Sequence, residues 1–219
     1  MALKYDTDSI YWSILDKGIK QGMVPGLEKK AREWYRKEAA KVKVTGDPIR
    51  TVYKIEPHMK RPKPMVGFMY QFEYDAKHKA TLPYWDRCPL VFPYQFHKNK
   101  QGQAMMTGIN LHYLNRPMRA RLMDALHGAA MNKKYNDNQR LRISYDILSA
   151  SAKYRWFEPT VHTYLLNRVR SPFYKVGGEH WDIALFLPTE RFVKAPKTKV
   201  WADSAVQVRD IRKAWKDRT

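Results

Sequence analysis

The chain has 219 residues, and its 41 Lys and Arg against 21 Asp and Glu leave a formal charge of +20, while 44% of the residues are hydrophobic and 13% aromatic. That apolar content excludes a disordered basic tail and predicts one folded domain, or two small ones, with the surplus cations at the surface. A field of one sign points to a polyanionic partner, nucleic acid first and an anionic membrane surface second.

Cys88 is a single cysteine and has no intramolecular disulfide partner, which suits a reducing cytosol. The first residues, Met1 to Asp6, lack the apolar stretch of a secretory signal. The longest run free of Asp, Glu, Lys and Arg, Gln101 to Asn115, is too short and too polar for a membrane span of roughly 20 apolar residues. The expectation is a soluble intracellular product with no membrane partner.

Three zones are drawn along the chain, and no internal repeat is present. In the first, Thr7 or Asp8 caps a short helix carrying Ile10, Ile14 and Leu15, and Gly22 interrupts it. A second helix starts at Pro25, with Leu27, Ala31, Trp34, Tyr35 and Glu38 on one stripe. Lys29, Lys30, Arg32, Arg36, Lys37, Lys41 and Lys43 fill its remainder. Two readings of that cationic face stand side by side: a solvated surface, or an arm along a phosphate backbone. Pro48, Pro57, Pro62 and Pro64 then mark an extended linker that ends in the basic cluster Lys60-Arg61-Pro62-Lys63.

The second zone, about 65 to 115, reads as β structure. Val66, Phe68, Tyr70, Phe72 and Tyr74 alternate with Gly67, Met69, Gln71 and Glu73. Pro83 and Pro89 bound a turn-rich segment. Leu90 to Phe96 is a second strand, which Pro93 places at an edge or a bulge. The loop from His97 to Gly102 leads to a third strand, Ala104 to Leu114.

The third zone reads as mostly helical. Asn115 caps a helix with Pro117 in its first turn and Gly128 near its end. Asn136-Asp137-Asn138 caps another, with Leu141, Tyr145 and Leu148 on one face. Pro159 opens a third, with Val161, Tyr164, Leu165 and Val169 inward, and Pro172 stops it. Phe173 to Val176 returns as a strand, Trp181 to Leu187 fits strand or helix equally, and Asp203 caps a last short helix through Val206, Ile211 and Trp215. The resulting class is α+β: a small antiparallel sheet or partly open barrel flanked by helices, with a helical basic N-terminal extension. The domain division is 1–64 for the extension and linker, 65–203 for the core, and 204–219 for a C-terminal helix or tail.

Residues 1–64 hold 15 basic and 8 acidic side chains, and residues 117–176 hold 11 and 4, so the cations gather on the helices and not on the proposed sheet. The candidate phosphate contacts are Lys60, Arg61, Lys63, Lys133, Lys134, Arg140, Arg142, Lys153, Arg155, Arg168, Arg170 and Lys175. Arginine's planar fork matches phosphate oxygens. Tyr154, Trp156 and Tyr174 lie among these charges and are candidates for stacking on exposed bases; core packing is the competing role for such rings.

No catalytic, metal or cofactor site is assigned. The seven histidines show no metal-ligand spacing, and the glycines form neither GxGxxG nor GxxxxGK[ST]. Asp124 and His127 share a helical face as a surface pair. Glu73-Tyr74-Asp75-Ala76-Lys77 loosely matches the acid-plus-lysine ends of metal-dependent nucleases, but needs a second carboxylate, for which Asp86 is the candidate.

Longer blocks carry a resemblance. Phe72 to Lys79 with Leu82 to Asp86, Gly108 to Leu114, Ile143-Ser144-Tyr145 followed by Lys153 to Phe157, and Glu179 to Pro188 through Arg191-Phe192 together resemble the DNA end protector proteins of T-even-like tailed bacteriophages. The likeness spans about residues 65 to 203. It implies a non-enzymatic virion protein of the head or neck region, present in the host cytoplasm during assembly and after injection. Such a protein holds the termini of linear double-stranded DNA against host exonuclease, and its further partners are portal, neck or tail-channel components. The alternative is a structural head-completion, neck or tail-channel part that meets DNA non-specifically.

Overall fold

The computed structural model describes residues 9–25, 28–54, 66–130, 145–150, 155–177 and 181–216. Helix α1 (Ile10–Lys20) is capped by Ser9, one residue beyond the expected pair, and the Ser9 hydroxyl accepts from the Trp12 amide. Gly22 turns the chain at φ 72°, a conformation open to glycine without strain. Helix α2 (Lys29–Lys41) begins after the extended residue Glu28 and not at Pro25, which sits in a turn. Ala31, Tyr35 and Ala39 form its buried stripe, whereas Glu38 pairs with Lys17 and Lys41. The Tyr35 hydroxyl donates to Met23 O at 2.7 Å, and its ring lies where a side chain at Gly18 would be.

The expected extended linker begins instead with helix α3 (Pro48–Tyr53). The Asp47 carboxylate accepts from the amides of Ile49 and Arg50, and Pro48 takes the first turn, where its missing N–H costs nothing. Ile49, Val52 and Tyr53 are buried in the same apolar cluster as α1, α2 and the sheet. Residues 55–65, with the 60–63 basic cluster, lie outside the described part.

Strands β1 (Met69–Gln71), β3 (Leu90–Lys98), β4 (Ala104–Asn110), β5 (Val161–Leu165) and β6 (Tyr174–Val176) make one open sheet in the order β5-β4-β3-β1-β6, every pairing antiparallel. This is the expected α+β class with a small antiparallel sheet and no closed barrel, and the alternation at 66–74 yields a three-residue strand followed by a bridge from Tyr74 to Val169. Pro93 marks a register shift against β4, as expected of a bulge, yet β3 is central and not an edge strand. Opposite that bulge, a Cβ on Gly108 would stand 2.4 Å from the Phe92 carbonyl oxygen. Gly108→Ala therefore forces β3 and β4 apart and is expected to lower stability by about 1–3 kcal/mol, read from urea unfolding.

Segment 161–165 is a strand, not the helix that its i, i+3, i+4 spacing indicates. Pro159 sits inside the short 3₁₀ helix Arg155–Thr160, and the following β-branched residues pair with β4, where the Thr163 and Thr107 hydroxyls lie 2.9 Å apart. Most of the described residues of the third zone are nonetheless helical, as expected, with the strand at 161–165 inserted among them. The segment bounded by Pro83 and Pro89 contributes β2 (Trp85–Asp86), which pairs with β7 (Phe192–Val193) in a second, two-stranded sheet. The third expected strand stops at Asn110, and Leu111–Tyr113 turn as a 3₁₀ helix capped by the Asn110 side chain. Helix α4 (Arg116–Ala130) has the expected Asn115 cap, bonded to the Met118 amide. Helix α5 is described over 145–150, with Leu148 buried, and the cap expected at 136–138 lies outside the described residues. The ambiguous run becomes helix α6 (Trp181–Ala184). The last helix, α7 (Lys197–Lys216), starts after Pro196, so Asp203 lies inside it and pairs with Lys199.

The sheet is covered on both faces. Met69, Leu90, Phe92, Ile109 and Val176 face the helices, whereas Tyr70, Phe72, Tyr74, Val91, Met106, Tyr164 and Val169 form a second, aromatic-rich cluster beneath the loops. Phe72 meets Tyr164 edge-on at 5.4 Å, an arrangement aromatic quadrupoles favour. This second cluster anchors the segments that carry the site.

Candidate nucleic-acid interface

Segment 73–75 pairs antiparallel with 168–170, where the chain leaves the 3₁₀ turn Leu166–Arg168, through the bridge of Tyr74 to Val169. The Arg170 amide donates to Glu73 O at 2.9 Å, and the Asp75 amide donates to Arg168 O at 3.1 Å. Tyr74 and Val169 are buried, which leaves Asp75, Arg168 and Arg170 facing outward together. Asp75 Oδ2 lies 3.3 Å from Arg170 and 3.5 Å from Arg168, and Oδ1 lies 2.9 Å from Lys79 one helical spacing on. Hydrogen bonds from Lys79 and Arg170 hold the Asp75 carboxyl below its ordinary range, so it stays ionised and neutralises one of three cations. Water screens exposed pairs of this kind, so each holds Asp75 only weakly. A phosphate oxygen can therefore replace Asp75 at small cost, and Arg168 and Arg170 present their forks ready-made.

Beside this cluster lies a cavity of about 520 Å³, walled by Tyr74, Lys77, Tyr84, Trp85, Tyr113 and His162, among others. Its far side is the tip of the β3–β4 hairpin, where Asn99 Oδ1 accepts from the Gln101 and Gln103 amides and sets the turn. The exposed Lys98 and Lys100 flank Asn99 on that tip. Lys194 donates to the carbonyls of Ala80 and Leu82, fixing the loop at the opposite rim, and its Nζ stands 6.0 Å from the Trp85 ring.

Inside the cavity, His162 lies against Tyr113 with ring centroids 4.0 Å apart, and its Nε2 donates to Pro159 O. Burial pushes the imidazole down to about 4, so it adds no charge at neutral pH. The unfolded chain protonates this group near pH 6.5 and binds the extra proton at every pH between the two values. Stability is accordingly lost as pH falls from about 6.5 toward 4, and His162→Gln is expected to flatten that part of a urea-midpoint profile against pH.

Of the residues singled out in the sequence, the structure unites Arg168 and Arg170. Lys175 is exposed on the edge strand β6, its Nζ 3.7 Å from the centre of the Phe68 ring. Tyr174 stacks on Tyr53 at 3.7 Å and meets Tyr11 edge-on, so one face of its ring is already covered within the fold. Arg155 and Trp156 are placed by their backbone only, in the 3₁₀ turn before β5. Lys60, Arg61, Lys63, Lys133, Lys134, Arg140, Arg142, Lys153 and Tyr154 lie outside the described residues. On α2, Arg36 binds Asp182 at 2.6 Å and Asp124 at 2.8 Å, and Arg32 reaches Asp124 at 3.6 Å, so these two arginines tie helices together. Lys77, Lys79, Lys98, Lys100 and Lys194 are not among the contacts expected from the sequence, although Lys77-His78-Lys79 and the loop from His97 to Gly102 both carry clustered cations.

The nuclease-like fragment Glu73 to Lys77 does not assemble. Asp75 is held by cations, burial and the nearby Asp47 raise the Glu73 carboxyl above its ordinary range, and Asp86 is sealed inside. Asp86 Oδ2 accepts from His112 Nδ1 at 2.6 Å and from Asn110 at 3.2 Å, and His112 Nε2 lies 3.3 Å from the Thr189 hydroxyl. The order Asp, His, Thr has the bonding of a nucleophile triad, but His112 and Thr189 are both 0% exposed. The trio is a structural clamp. Among the described residues no group of three or more His, Cys, Asp and Glu is placed to hold a metal ion, and no helix is long and apolar enough to cross a membrane.

The family model described as the phage T4 terminal DNA protecting protein matches residues 22–208. The chain belongs to that family. The match reaches back through α2 and α3, beyond the boundary at residue 64 that composition marked, and forward into α7. It includes both segments of the Asp75 cluster and every wall of the cavity, so the terminal DNA protecting protein family shares the stretch that carries the site. No curated protein and no solved structure matches the chain.

Proposed function

We propose that this protein binds the ends of linear double-stranded DNA in a phage and shields them from exonuclease by steric occlusion. The observation that carries the reading is the gathering of Lys79, Arg168 and Arg170 on one exposed carboxylate, beside an aromatic cavity with Lys77 in its wall. Family membership supports the terminal-DNA part of it. Arg168, Arg170 and Lys175 are candidate phosphate contacts, with Lys77, Lys79, Lys98 and Lys100 added. The basic residues at 60–63, 133–142 and 153–155 are further candidate phosphate contacts, with Tyr154 and Trp156 as candidate platforms for bases. Contacts of this kind position a protein without reading sequence, so binding is sequence-tolerant. The site of action is the packaged genome end in the virion, next to portal, neck or tail-channel proteins.

The test compares a linear duplex with a covalently closed circle of the same sequence. Preference for the linear form, together with resistance of its ends to a processive exonuclease, is the expected result. Equal affinity and no resistance would instead assign the chain to the structural neck or tail-channel role. With roughly 6–10 phosphates engaged, affinity should fall about 10³–10⁵-fold between 50 and 200 mM salt in the same assay.

A further inference from the structure

We infer that the cavity between the 74–86 segment, the β3–β4 hairpin tip and β5 is a binding pocket for a single unpaired base at a DNA terminus. The inference rests on the end-binding reading above and adds to it the place where the last nucleotide goes.

Size and chemistry both select this ligand. A volume of about 520 Å³ falls within the roughly 300–1,000 Å³ of small-molecule pockets. Tyr84 and Trp85 are half-buried and line the cavity, and Tyr113 and His162, their rings tilted at 38° with centroids 4.0 Å apart, line it too. Flat π surfaces of this kind accept any base, because every base has a π face. The interior repels a phosphate. Asp86 lies in the lining, and its carboxylate is already satisfied by His112, Asn110 and the Cys88 amide, so it offers negative charge and no cation. The cations stand outside: Lys77 on the wall, Lys98 and Lys100 at the hairpin tip, and Lys79, Arg168 and Arg170 around Asp75. An interior of aromatic rings and polar side chains, with Lys77 in its wall and the Asp75 cations beside it, fits a base inserted inward with its phosphodiester held at the mouth. Thr163 and Gln101 also line the cavity and supply polar groups that suit a base edge.

The pocket explains how a small protein blocks a nuclease that must thread a free strand end. A terminal base held between aromatic rings is withdrawn from that path, and the rim cations cover the first phosphates.

The experiment uses the full chain and short duplexes closed by a hairpin at one end. The open end carries a one-nucleotide overhang, on either strand, bearing either a normal base or an abasic residue. Removing the terminal base is expected to weaken binding roughly ten-fold or more, the loss typical of one base stacked on an aromatic ring. An abasic residue inside the duplex is expected to leave binding unchanged. A terminal 2-aminopurine should lose fluorescence on binding, whereas an internal one should not. Trp85→Ala should remove the penalty for the abasic end while the salt dependence persists. Should that variant fail to fold, the comparison of DNAs with the unaltered protein still decides. Equal affinity for abasic and normal ends, with a doubly closed dumbbell bound more weakly, would overturn the pocket and leave end binding intact. A dumbbell bound as tightly as the open duplex would overturn end binding itself and the pocket with it.

Discussion

Replacing Lys77, Lys79, Arg168 and Arg170 together by Gln is expected to reduce affinity for a linear duplex about 10³-fold near 0.15 M salt. The estimate follows from counterion release: each phosphate contact contributes a slope of about −0.9 in log K against log salt, so losing four flattens the plot by about 3.6. The substitution removes charge from exposed and half-exposed positions and leaves Tyr74 and Val169, the buried anchors of both segments, in place. A matching control changes Lys20, Lys29, Lys30 and Lys37 to Gln, which lowers the net charge by the same four on α1 and α2. Net charge acts on both variants alike, whereas a localised site responds to the first. Equal losses in the two would show that binding depends on the overall field and not on the Asp75 cluster. Filter binding across a salt series reads both the affinity and the slope.

Where the sequence was readable, local chemistry decided the structure. Asn115 with Pro117 sets the start of α4, Pro93 sets the bulge in β3, and the alternation around Tyr70 marks a strand, because each acts through the backbone within a few residues. The failures share a different cause. Asp47-Pro48 is as good a helix start as Asn115-Arg116-Pro117, yet the prolines that follow disguised α3 as linker. Val161, Tyr164, Leu165 and Val169 fit helical spacing, but β4 offered an unpaired edge and the segment completed it. The length of β1 was illegible for a similar reason: the alternation runs on to Tyr74, but the ladder stops at Gln71 because β3 and β6 pair only with Met69–Gln71.

The site divides along the same line. Arg168 and Arg170 are visible in the sequence as a basic pair around Val169, and the burial of Val169 at the end of the 3₁₀ turn leaves both facing outward. Their partners Asp75 and Lys79 lie some ninety positions earlier and meet them only through the bridge between Tyr74 and Val169. The cavity has the same character, since β2, the hairpin tip and β5 each supply walls that no spacing rule connects. Charge density along the chain misled as well. It favoured the helices, but Arg32 and Arg36 cross-link α2 to Asp124 and Asp182, whereas the cations left at the surface beside the cavity come from loops of modest net charge.

The largest stability effect is expected at a residue that touches no DNA. Arg119 is 0% exposed, and its guanidinium donates to the carbonyls of Leu114, Leu185 and His112 and to Glu190 Oε1 at 2.9 Å, joining α4, α6 and the start of β7. Burial by itself would raise the Glu190 carboxyl, but Arg119, with His112 and Lys197, outweighs it and holds the group at about 2. Arg119→Met leaves that carboxylate buried without its partner and is expected to cost about 3–5 kcal/mol at neutral pH, measured by urea unfolding. The pH dependence gives the cause a signature. In the unaltered protein the Glu190 contribution is complete above the unfolded value near 4.3 and is lost as pH falls toward 2. In the variant, burial without Arg119 places the folded value above 4.3, so acid protonates Glu190 and relieves the folded state. The stability gap between the two proteins should therefore narrow as pH falls from 7 toward 4, and Arg119→Met with Glu190→Gln should recover much of it at pH 7. A gap that stays constant across that range would mean that Arg119 acts through its carbonyl bonds and packing, and not through Glu190.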